Sequence, residues 1–484
     1  MPLTAVKSSR RTVSFRPVTE GASYAGGQLM RLQVSGVDFI DPANFHLNFR
    51  MNVAYDTGVA GDTTAGGIAL PMSAESYIDE ITVRVGGRVL DNVRNYAEIE
   101  SFLHTVSQST DSVNSLGACI TGQTLNDVDR IIPFSAAAGV PGNSQYQDAW
   151  YSVDLSGLAL FGSNMNMVPI RYLAARQPVE IEIRLRAPAE CLTYYRATGT
   201  NSVDPTNVRY TMSEVYITAD ALDMDAVSLA WDERILTEPM VYPVSSITQY
   251  SSQLLASQTT YNTVFSHPGE DVRMAVVMFT CNGIRDLASA DSPLAVSDMN
   301  FIPPFLQEAQ LKVGVRLFPE TDRLKFVWKG TNTPGTNLPS SAPQSLREAI
   351  KAVGRSADHR SGFLLTPELY SKNKYPIQTG TPSYLETDGN YRTSFGLAFS
   401  LDSNPSELTP DVAGTGVSTL SATTHNITLN MYFSAARGAY DQNTNPMGGD
   451  YTVDIFMFTR ENYVIFADRV EREINLVLPG TEEA

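Results

Sequence analysis

The sequence predicts an all-β protein made of two β-sandwich domains of one kind in tandem. The first observation is an internal repeat, because Tyr77–Leu90 recurs at an offset of 228 residues (305 minus 77) as Phe305–Phe318. The second is that apolar and polar residues alternate in each copy, which is the period of a half-buried strand. The third is length: 484 residues fit two sandwiches of about 200–250 residues each. Identical residues at the repeat offset are Glu80 and Glu308, Val85 and Val313, Gly86 and Gly314, Arg88 and Arg316.

Further strands are predicted on both sides of the repeat. Val272–Phe279 is a continuous apolar run, which is typical of a strand covered on both faces. Tyr210–Leu222 and Tyr451–Ile465 both begin with Tyr-Thr, and we expect each of them to close one domain. Two further strands show strict alternation of apolar residues: Phe45, Leu47, Phe49, Met51 and Val53 in one, and Val179, Ile181, Ile183 and Leu185 in the other.

Two short helices are predicted, one after each copy of the repeat. Val93–Val106 has helical spacing of its apolar residues, and either Asp91 or Asn92 is expected to cap it. Ser345–Val353 is the corresponding helix of the second half.

These elements predict the following division of the chain. Residues 17–227 and 244–475 form the two β-domains, and residues 228–243, which have neither a helical nor a strand period, link them. Residues of about 329–390 are rich in Pro, Gly, Thr and Asn and form a long loop insertion in the second domain. Residues 1–16 form a basic N-terminal arm, and residues 476–484 form an acidic C-terminal tail.

The charge of the chain limits its partners. Thirty-five Lys and Arg against 52 Asp and Glu give a formal net charge of −17, which argues against a dominant role in binding nucleic acid. The arm is the exception, since it carries Lys7, Arg10, Arg11 and Arg16. Its charge suggests that it faces something anionic, although a merely disordered terminus explains the composition equally well. Met1–Thr19 lacks the apolar core of a secretory signal, so we expect none.

No motif in the sequence predicts catalysis, a metal or a cofactor. Asp56-Thr57-Gly58 is the tripeptide of aspartic proteases, but that chemistry needs two carboxylates, and the lone copy is better explained as a turn. The five histidines and three cysteines lack the spacing of metal ligands. The cysteines are expected to be free thiols. Asp220, Asp223 and Asp225 cluster without the pattern of a calcium loop, which indicates a solvated linker edge.

A family resemblance extends over nearly the whole chain. The residues that carry it are SYIDEITVRVGGRVLDNVRNYAEIESFL, SGLALFGSNMNMVPIRYLAARQPVEIEIRL, LQEAQLKVGVRLFP, GVSTLSATTHNITLNMYF and VDIFMFTRENYVIF. Together they resemble the double jelly-roll major capsid proteins of icosahedral double-stranded DNA viruses, especially those of virophages, polinton-like viruses and nucleocytoplasmic large DNA viruses. The resemblance is a pattern of strands, helices and Pro-bearing joins, and it contains no catalytic signature.

The resemblance implies a structural function without cofactors or catalysis. Each domain is then an eight-stranded jelly roll, and three chains form a trimeric capsomer with six lobes that tiles the shell of a virion assembled in the host cell. The implied partners are the chain itself, minor capsid and penton proteins, and an internal membrane or the genome, reached through the inward-facing arm with Lys7, Arg10, Arg11 and Arg16. Sequence-specific binding of nucleic acid is not expected.

Two other classes remain as alternatives. Tandem β-sandwiches with aromatic side chains also form glycan-binding modules, and the chain has 22 Tyr. An all-β hydrolase is the third reading, which the missing second Asp-Thr-Gly argues against.

Overall fold

A computed structural model provides the coordinates. It describes residues 9–19, 23–55, 66–69, 74–107, 131–133, 145–155, 158–161, 167–174, 178–196, 208–223, 225–282, 305–320, 322–329, 338–341, 343–353, 396–403, 416–420, 426–439, 448–467 and 469–473. The predicted Asp-Thr-Gly turn, the acidic tail and most of the 329–390 insertion lie outside the described residues.

Strands dominate the described part of the first half. They are β1 (Ser9–Phe15), β2 (Tyr24–Ala25), β3 (Leu29–Val34), β4 (Phe39–Tyr55), β5 (Gly66–Ala69), β6 (Ile78–Val85), β7 (Arg88–Arg94), β8 (Ile131–Pro133), β9 (Gln145–Asp154), β10 (Val179–Leu185), β11 (Thr193–Arg196) and β12 (Val208–Asp223). The helices are a 3-10 turn at Ala74–Tyr77, α1 (Tyr96–Ser107), α2 (Ile170–Leu173) and α3 (Pro188–Cys191).

The second half continues in the same manner. Helix α4 (Asp225–Ile235) leads into β13 (Met240–Leu254), and α5 (Pro343–Ala352) is the helix expected there from the sequence. The other strands are β14 (Thr260–Ser266), β15 (Asp271–Cys281), β16 (Leu306–Val313), β17 (Arg316–Phe318), β18 (Leu324–Lys325), β19 (Val327–Lys329), β20 (Leu338–Ser341), β21 (Leu397–Ser400), β22 (Asn426–Phe433), β23 (Tyr451–Ile465) and β24 (Val470–Glu473).

Each half is a jelly roll with the same topology. The first half has sheets ordered β1-β12-β4-β9 and β3-β10-β6-β7, and the second has β13-β23-β15-β21 and β14-β22-β16-β17. If the eight strands of either half are numbered along the chain, both halves give the orders 1-8-3-6 and 2-7-4-5. All pairings are antiparallel. The predicted fold class, two tandem eight-stranded jelly rolls, is therefore confirmed.

The alternating residues predicted to face inward form the cores. All nine residues of the two alternating strands are buried, as Phe45 in β4 and Ile181 in β10 illustrate. Strand β15 is buried on both faces, since Ala275–Phe279 are almost fully inaccessible. Alternating apolar residues thus indicate a strand with one solvated face, and a continuous apolar run indicates a strand buried on both faces.

The internal repeat is a pair of equivalent hairpins. Gly86 turns β6 into β7 with a φ of +57°, and Gly314 turns β16 into β17 with a φ of +59°. L-residues with a side chain rarely adopt this left-handed conformation, so glycine occupies the same position in both copies.

Helix α1 begins later than predicted. Strand β7 runs through Arg94, and the helix starts after Asn95, whose φ is +49° and whose backbone oxygen accepts a hydrogen bond from Glu98 N at 3.0 Å. The capping role expected for Asp91 or Asn92 is therefore wrong, because both residues lie in β7.

Two segments expected to be irregular contain regular structure. In the predicted arm, Ser9–Phe15 form β1, an edge strand whose largely exposed residues give no apolar period. The end of α4 and the start of β13 lie in the predicted linker, residues 228–243. Met240, Tyr242 and Val244 alternate there as buried residues, but Pro239 and Pro243 obscure the pattern in the sequence. Proline is tolerated because β13 is an edge strand.

The two rolls lie side by side and point in the same direction. Each has two tight turns at one end, such as those at Gly86 and Gly314, and most of its long connections at the other. At the end of the tight turns, Leu90 of the first roll contacts Tyr463 of the second. At the end of the long connections, Glu98 contacts Thr280. The end of the first roll that carries the tight turns therefore contacts the corresponding end of the second roll, and the two opposite ends also contact each other.

Candidate functional site: the roll junction and the outer sheet faces

The junction between the rolls is built from buried hydrogen bonds. The hydroxyl of Tyr463 donates to the backbone oxygen of Leu90 at 3.0 Å, and that of Tyr242 donates to the backbone oxygen of Leu160 at 3.5 Å. Both tyrosines are almost fully buried. A buried hydroxyl requires a partner, so these bonds fix how the first roll meets the sheet of the second.

A buried ion pair reinforces the other end of the junction. Arg186 Nη2 donates to Glu98 Oε1 at 3.0 Å, and the two side chains are 3% and 1% exposed. The hydroxyl of Thr280, from the second roll, donates to the same carboxylate at 3.4 Å. Nearby, Asn95 Nδ2 donates to Asp454 Oδ2 at 3.2 Å. Buried charges that are paired in this way hold one geometry, because breaking the pair leaves an uncompensated charge.

Asp91 is a buried carboxyl group at the same junction. Its Oδ2 accepts a hydrogen bond from the backbone N–H of Ala159 at 2.8 Å, and the residue is 2% exposed. Burial raises the pKa of Asp91 to about 6, although the hydrogen bond from Ala159 and the charge of Arg472 oppose this rise. Arg472 itself pairs with Glu461 through Nη2 at 2.7 Å. The junction therefore contains a group that titrates near neutral pH.

The N-terminal arginines contact the protein's own carboxylates. Arg10 Nε donates to Asp220 at 3.0 Å and Arg11 Nε donates to Asp223 at 3.1 Å, both across the pairing of β1 with β12. Arg16 follows the strand and is exposed, and Lys7 lies outside the described residues. The sequence thus places these four basic residues along an arm, but the fold uses two of them within the first roll. Asp220 and Asp223, expected at a solvated linker edge, are instead the partners of these arginines.

The outer face of the β1-β12-β4-β9 sheet carries an exposed aromatic cluster. Trp150, on the edge strand β9, is 50% exposed and packs edge-on against Tyr216, with ring centroids 6.5 Å apart. Beside it, Arg50 Nη1 pairs with Glu214 Oε1 at 3.1 Å. Trp, Tyr and Arg are the side chains that contribute most to binding at protein interfaces, so this face suits a contact with another molecule.

His267 and Cys191, two of the residues considered as metal ligands in the sequence analysis, lie in different rolls. His267 lies between Tyr250 and Thr459 in the second roll, with Nε2 2.7 Å from Thr459 Oγ1. Cys191 is buried, and its thiol donates a hydrogen bond to the backbone oxygen of Ala187 at 3.4 Å. Within the described ranges, no three His, Cys, Asp or Glu side chains come together in an arrangement that holds a metal ion. In the same part of the chain, no helix is long and apolar enough to cross a membrane.

Sequence reasoning missed the junction. Tyr242, Tyr463 and Asp91 lie in strands of two different rolls, and no local pattern connects them. The only signal available was Asp91 itself, an acidic residue within the strand Arg88–Arg94 that the structure buries.

Solved structures with the same fold come from virus capsids. No protein-family model and no curated protein sequence matches the chain. The PBCV-1 virus capsid model aligns with a TM-score of 0.54 at 11% identity and covers 98% of both chains. The mavirus major capsid protein aligns with a TM-score of 0.51 at 10% identity over 96% of this chain and 90% of that one. A chain of the Sputnik virophage structure aligns with a TM-score of 0.51 at 12% identity over 99% and 91%. The protein therefore has the double jelly-roll fold of these capsid structures.

Proposed function

We propose that the protein is a major capsid protein that assembles into trimeric capsomers with a six-lobed outline. The capsomers tile an icosahedral shell around a double-stranded DNA genome, and the role is structural rather than catalytic. The observation that supports this most is the pair of complete jelly rolls, side by side and equally oriented, in a chain whose fold matches the capsid structures over almost its full length.

The geometry of the rolls suits a six-lobed tile. Two lobes in each chain make six lobes in three chains, and a threefold ring requires contacts between different surfaces of neighbouring copies. The junction fixes the angle between the lobes through Tyr463 and Tyr242. A rigid double lobe is what a regular tiling requires, since a variable angle would change the outline of the tile.

The orientation of the rolls suggests which end faces inward. Most of the long connections of both rolls start and finish at the end opposite the tight turns, and they include the segment of about 329–390, which we assign to the outer surface. Strand β1 begins at Ser9 beside the end with the tight turns. The residues before Ser9, including Lys7, are therefore assigned to the interior of the shell, toward minor capsid and penton proteins, a membrane or the genome. Because Arg10 and Arg11 are already paired within the roll, the inward contact falls to these first residues.

The solution mass of the purified protein tests the proposal. Light scattering across a range of concentrations is expected to show a stable species near three times the 52.9 kDa chain. Electron microscopy of that species should show a six-lobed outline. A monomer at every concentration would contradict the proposal. Deletion of residues 1–8 should leave the trimer intact and impair shell assembly.

A glycan-binding module is the second candidate, and the Trp150 face is the observation that favours it. A half-exposed indole beside Tyr216 and the Arg50–Glu214 pair offers both an apolar surface and polar groups. Glycan binding that is quenched by Trp150→Ala, in a protein that stays monomeric, would favour this candidate over the capsid role.

A further inference from the structure

The outer face of the β3-β10-β6-β7 sheet carries two Arg–Glu–Arg triads. Glu182, on the central strand β10, accepts hydrogen bonds from Arg31 Nη2 at 2.6 Å on one side and from Arg84 Nε at 2.9 Å on the other. Glu80, on β6, lies 3.4 Å from both Arg94 Nε and Arg184 Nη1. We call the four arginines, Arg31, Arg84, Arg94 and Arg184, the arginine plate.

The carboxylates of the triads are covered and the guanidinium groups are exposed. The side chains of Glu182 and Glu80 are 10% and 16% exposed, whereas those of the plate arginines are 36% to 71% exposed. Burial alone would raise the pKa of Glu182, but the hydrogen bonds from Arg84 and Arg31 hold it below its ordinary value. Both glutamates therefore hold the arginine side chains in place, and the solvent-exposed surface of the plate is cationic.

The plate has an excess of two positive charges on a chain of net charge −17. Adjacent Glu180, on β10, and Arg88, in the hairpin of β6 and β7, add one charge of each sign. Internal stability does not explain the excess, since one arginine for each glutamate would satisfy the pairing and exposed ion pairs contribute little. Guanidinium groups have five N–H donors in a planar fork, and the triads use only part of them. The remaining donors suit carboxylates of another molecule.

The second roll repeats this plate only in part at the equivalent positions. At the repeat offset, and by the matching strand register, the row Arg31–Glu182–Thr82 corresponds to Asn262–Asn430–Gln310. That row carries no charge. Of the plate arginines, Arg84 corresponds to Lys312, Arg94 to Lys325 and Arg184 to Tyr432. Glu308, at the position of Glu80, pairs with Arg323 at 2.6 Å. The second roll therefore keeps positive side chains on this face but has no counterpart of the triad around Glu182, although the backbones of the two rolls follow one plan.

We propose that the arginine plate binds carboxylates on the surface of a second copy of this chain. The proposal rests on the proposed self-assembly and specifies one of its contact surfaces. Copies of net charge −17 repel one another, so their association needs a local region of opposite charge where they meet. The plate is such a region, and its triad around Glu182 has no counterpart on the second roll, so the two rolls present unlike surfaces, as a contact in a closed ring requires. Arginine is also enriched at protein interfaces.

The test removes one arginine from each triad. In Arg31→Gln/Arg94→Gln, Glu182 keeps Arg84 and Glu80 keeps Arg184, so no covered carboxylate loses its last partner. The matched control is Arg234→Gln/Arg316→Gln, which changes the net charge equally and leaves only the exposed Glu238 and Glu320 unpaired. Arg31→Lys/Arg94→Lys keeps the charge of the plate. Sedimentation equilibrium at 50 and 500 mM NaCl measures association, and circular dichroism checks folding.

The expected result is that Arg31→Gln/Arg94→Gln weakens association at least tenfold at low salt and loses much of its salt dependence. The control should associate as the wild type does. The lysine variant should keep the salt dependence but associate less tightly, because it retains the charge and loses the guanidinium fork. Equal association of the wild type and Arg31→Gln/Arg94→Gln would overturn the plate proposal and leave the capsid proposal standing. A wild type that never associates would overturn both. A plate variant that associates normally but loses binding to duplex DNA would also overturn it, in favour of a polyanion as the partner.

Discussion

The hydroxyl group of Tyr463 and the backbone oxygen of Leu90, 3.0 Å apart, join strands that are 373 residues apart in the sequence. Tyr463 lies near the end of the last long strand of the second roll, and Leu90 lies in the first hairpin of the first. The bond is fully buried, and Tyr242 makes a similar bond to Leu160 beside it. The two rolls are therefore held by specific polar contacts as well as by apolar packing.

Removal of the Tyr463 hydroxyl is expected to destabilise the protein. Tyr463→Phe leaves the buried oxygen of Leu90 without this donor, which typically costs about 1–2 kcal/mol. Denaturant unfolding measures the loss. Tyr216→Phe is the control, because its hydroxyl makes no hydrogen bond within the described residues and its ring is partly exposed. A midpoint for Tyr463→Phe that equals that of the control would contradict a role of the bond in the junction.

The buried carboxyl of Asp91 should make the junction more stable in mild acid. Its pKa is raised to about 6 in the folded protein from an ordinary value of 3.8, so the folded state binds the proton more tightly than the unfolded state. Its contribution to the free energy of unfolding therefore increases as the pH falls from 7 to 4, by up to about 3 kcal/mol.

Asp91→Asn should abolish that increase. The amide oxygen can still accept the hydrogen bond from Ala159, so the variant is expected to be more stable than the wild type at pH 7.5 and to lose this advantage near pH 4.5. Chemical denaturation at both pH values measures the difference. A constant difference between the two proteins across this range would show that Asp91 does not titrate there.

The effect of His267 on the pH dependence of stability should be opposite to that of Asp91. Burial, with a smaller effect of Arg472, lowers the pKa of His267 to about 4 from 6.5. Because the unfolded chain takes up the proton at higher pH, the contribution of His267 to stability is present above 6.5 and is lost as the pH falls toward 4. In His267→Gln this loss should be absent, although the variant is less stable at pH 7 because it loses contacts with Tyr250 and Thr459. An unchanged slope of stability against pH in the variant would be the contrary outcome.

The buried pair of Arg186 and Glu98 should show strong coupling. Glu98→Ala leaves Arg186 buried beside a cavity and is expected to cost about 3–5 kcal/mol. Replacing both residues, as in Glu98→Leu/Arg186→Met, should cost less than Glu98→Ala alone, since the buried arginine is removed together with Glu98. Thermal unfolding of Glu98→Leu, Arg186→Met, the double variant and the wild type completes a double-mutant cycle. Additive losses would mean that the pair contributes little as a unit.

Local patterns predicted most of the strands. Phe45 to Val53 and Val179 to Leu185 alternate because one face of each strand is buried, and the repeated hairpins share a glycine because their turns need a positive φ. The prediction was wrong where local composition is misleading. Ser9–Phe15 gives no apolar period because an edge strand with an exposed face needs few apolar residues, and the prolines of β13 hid a real strand.

The candidate surfaces were harder to predict than the strands. Arg10 and Arg11 stood out as basic residues, but their partners Asp220 and Asp223 lie more than 200 residues away. The triads around Glu182 and Glu80 likewise join residues from four strands. Strand pairing brings such residues together, and pairing between distant segments has no local signature.

The sequence by itself determined the duplicated all-β plan, because hydrophobic periodicity and turn residues act over a few neighbouring positions. The tertiary structure alone decided which charges meet, how the rolls join through Tyr463 and Leu90, and which sheet face carries the arginine plate. These relationships depend on the register of strands far apart in the chain, and a shift of one residue in any of them would turn each side chain to the opposite face.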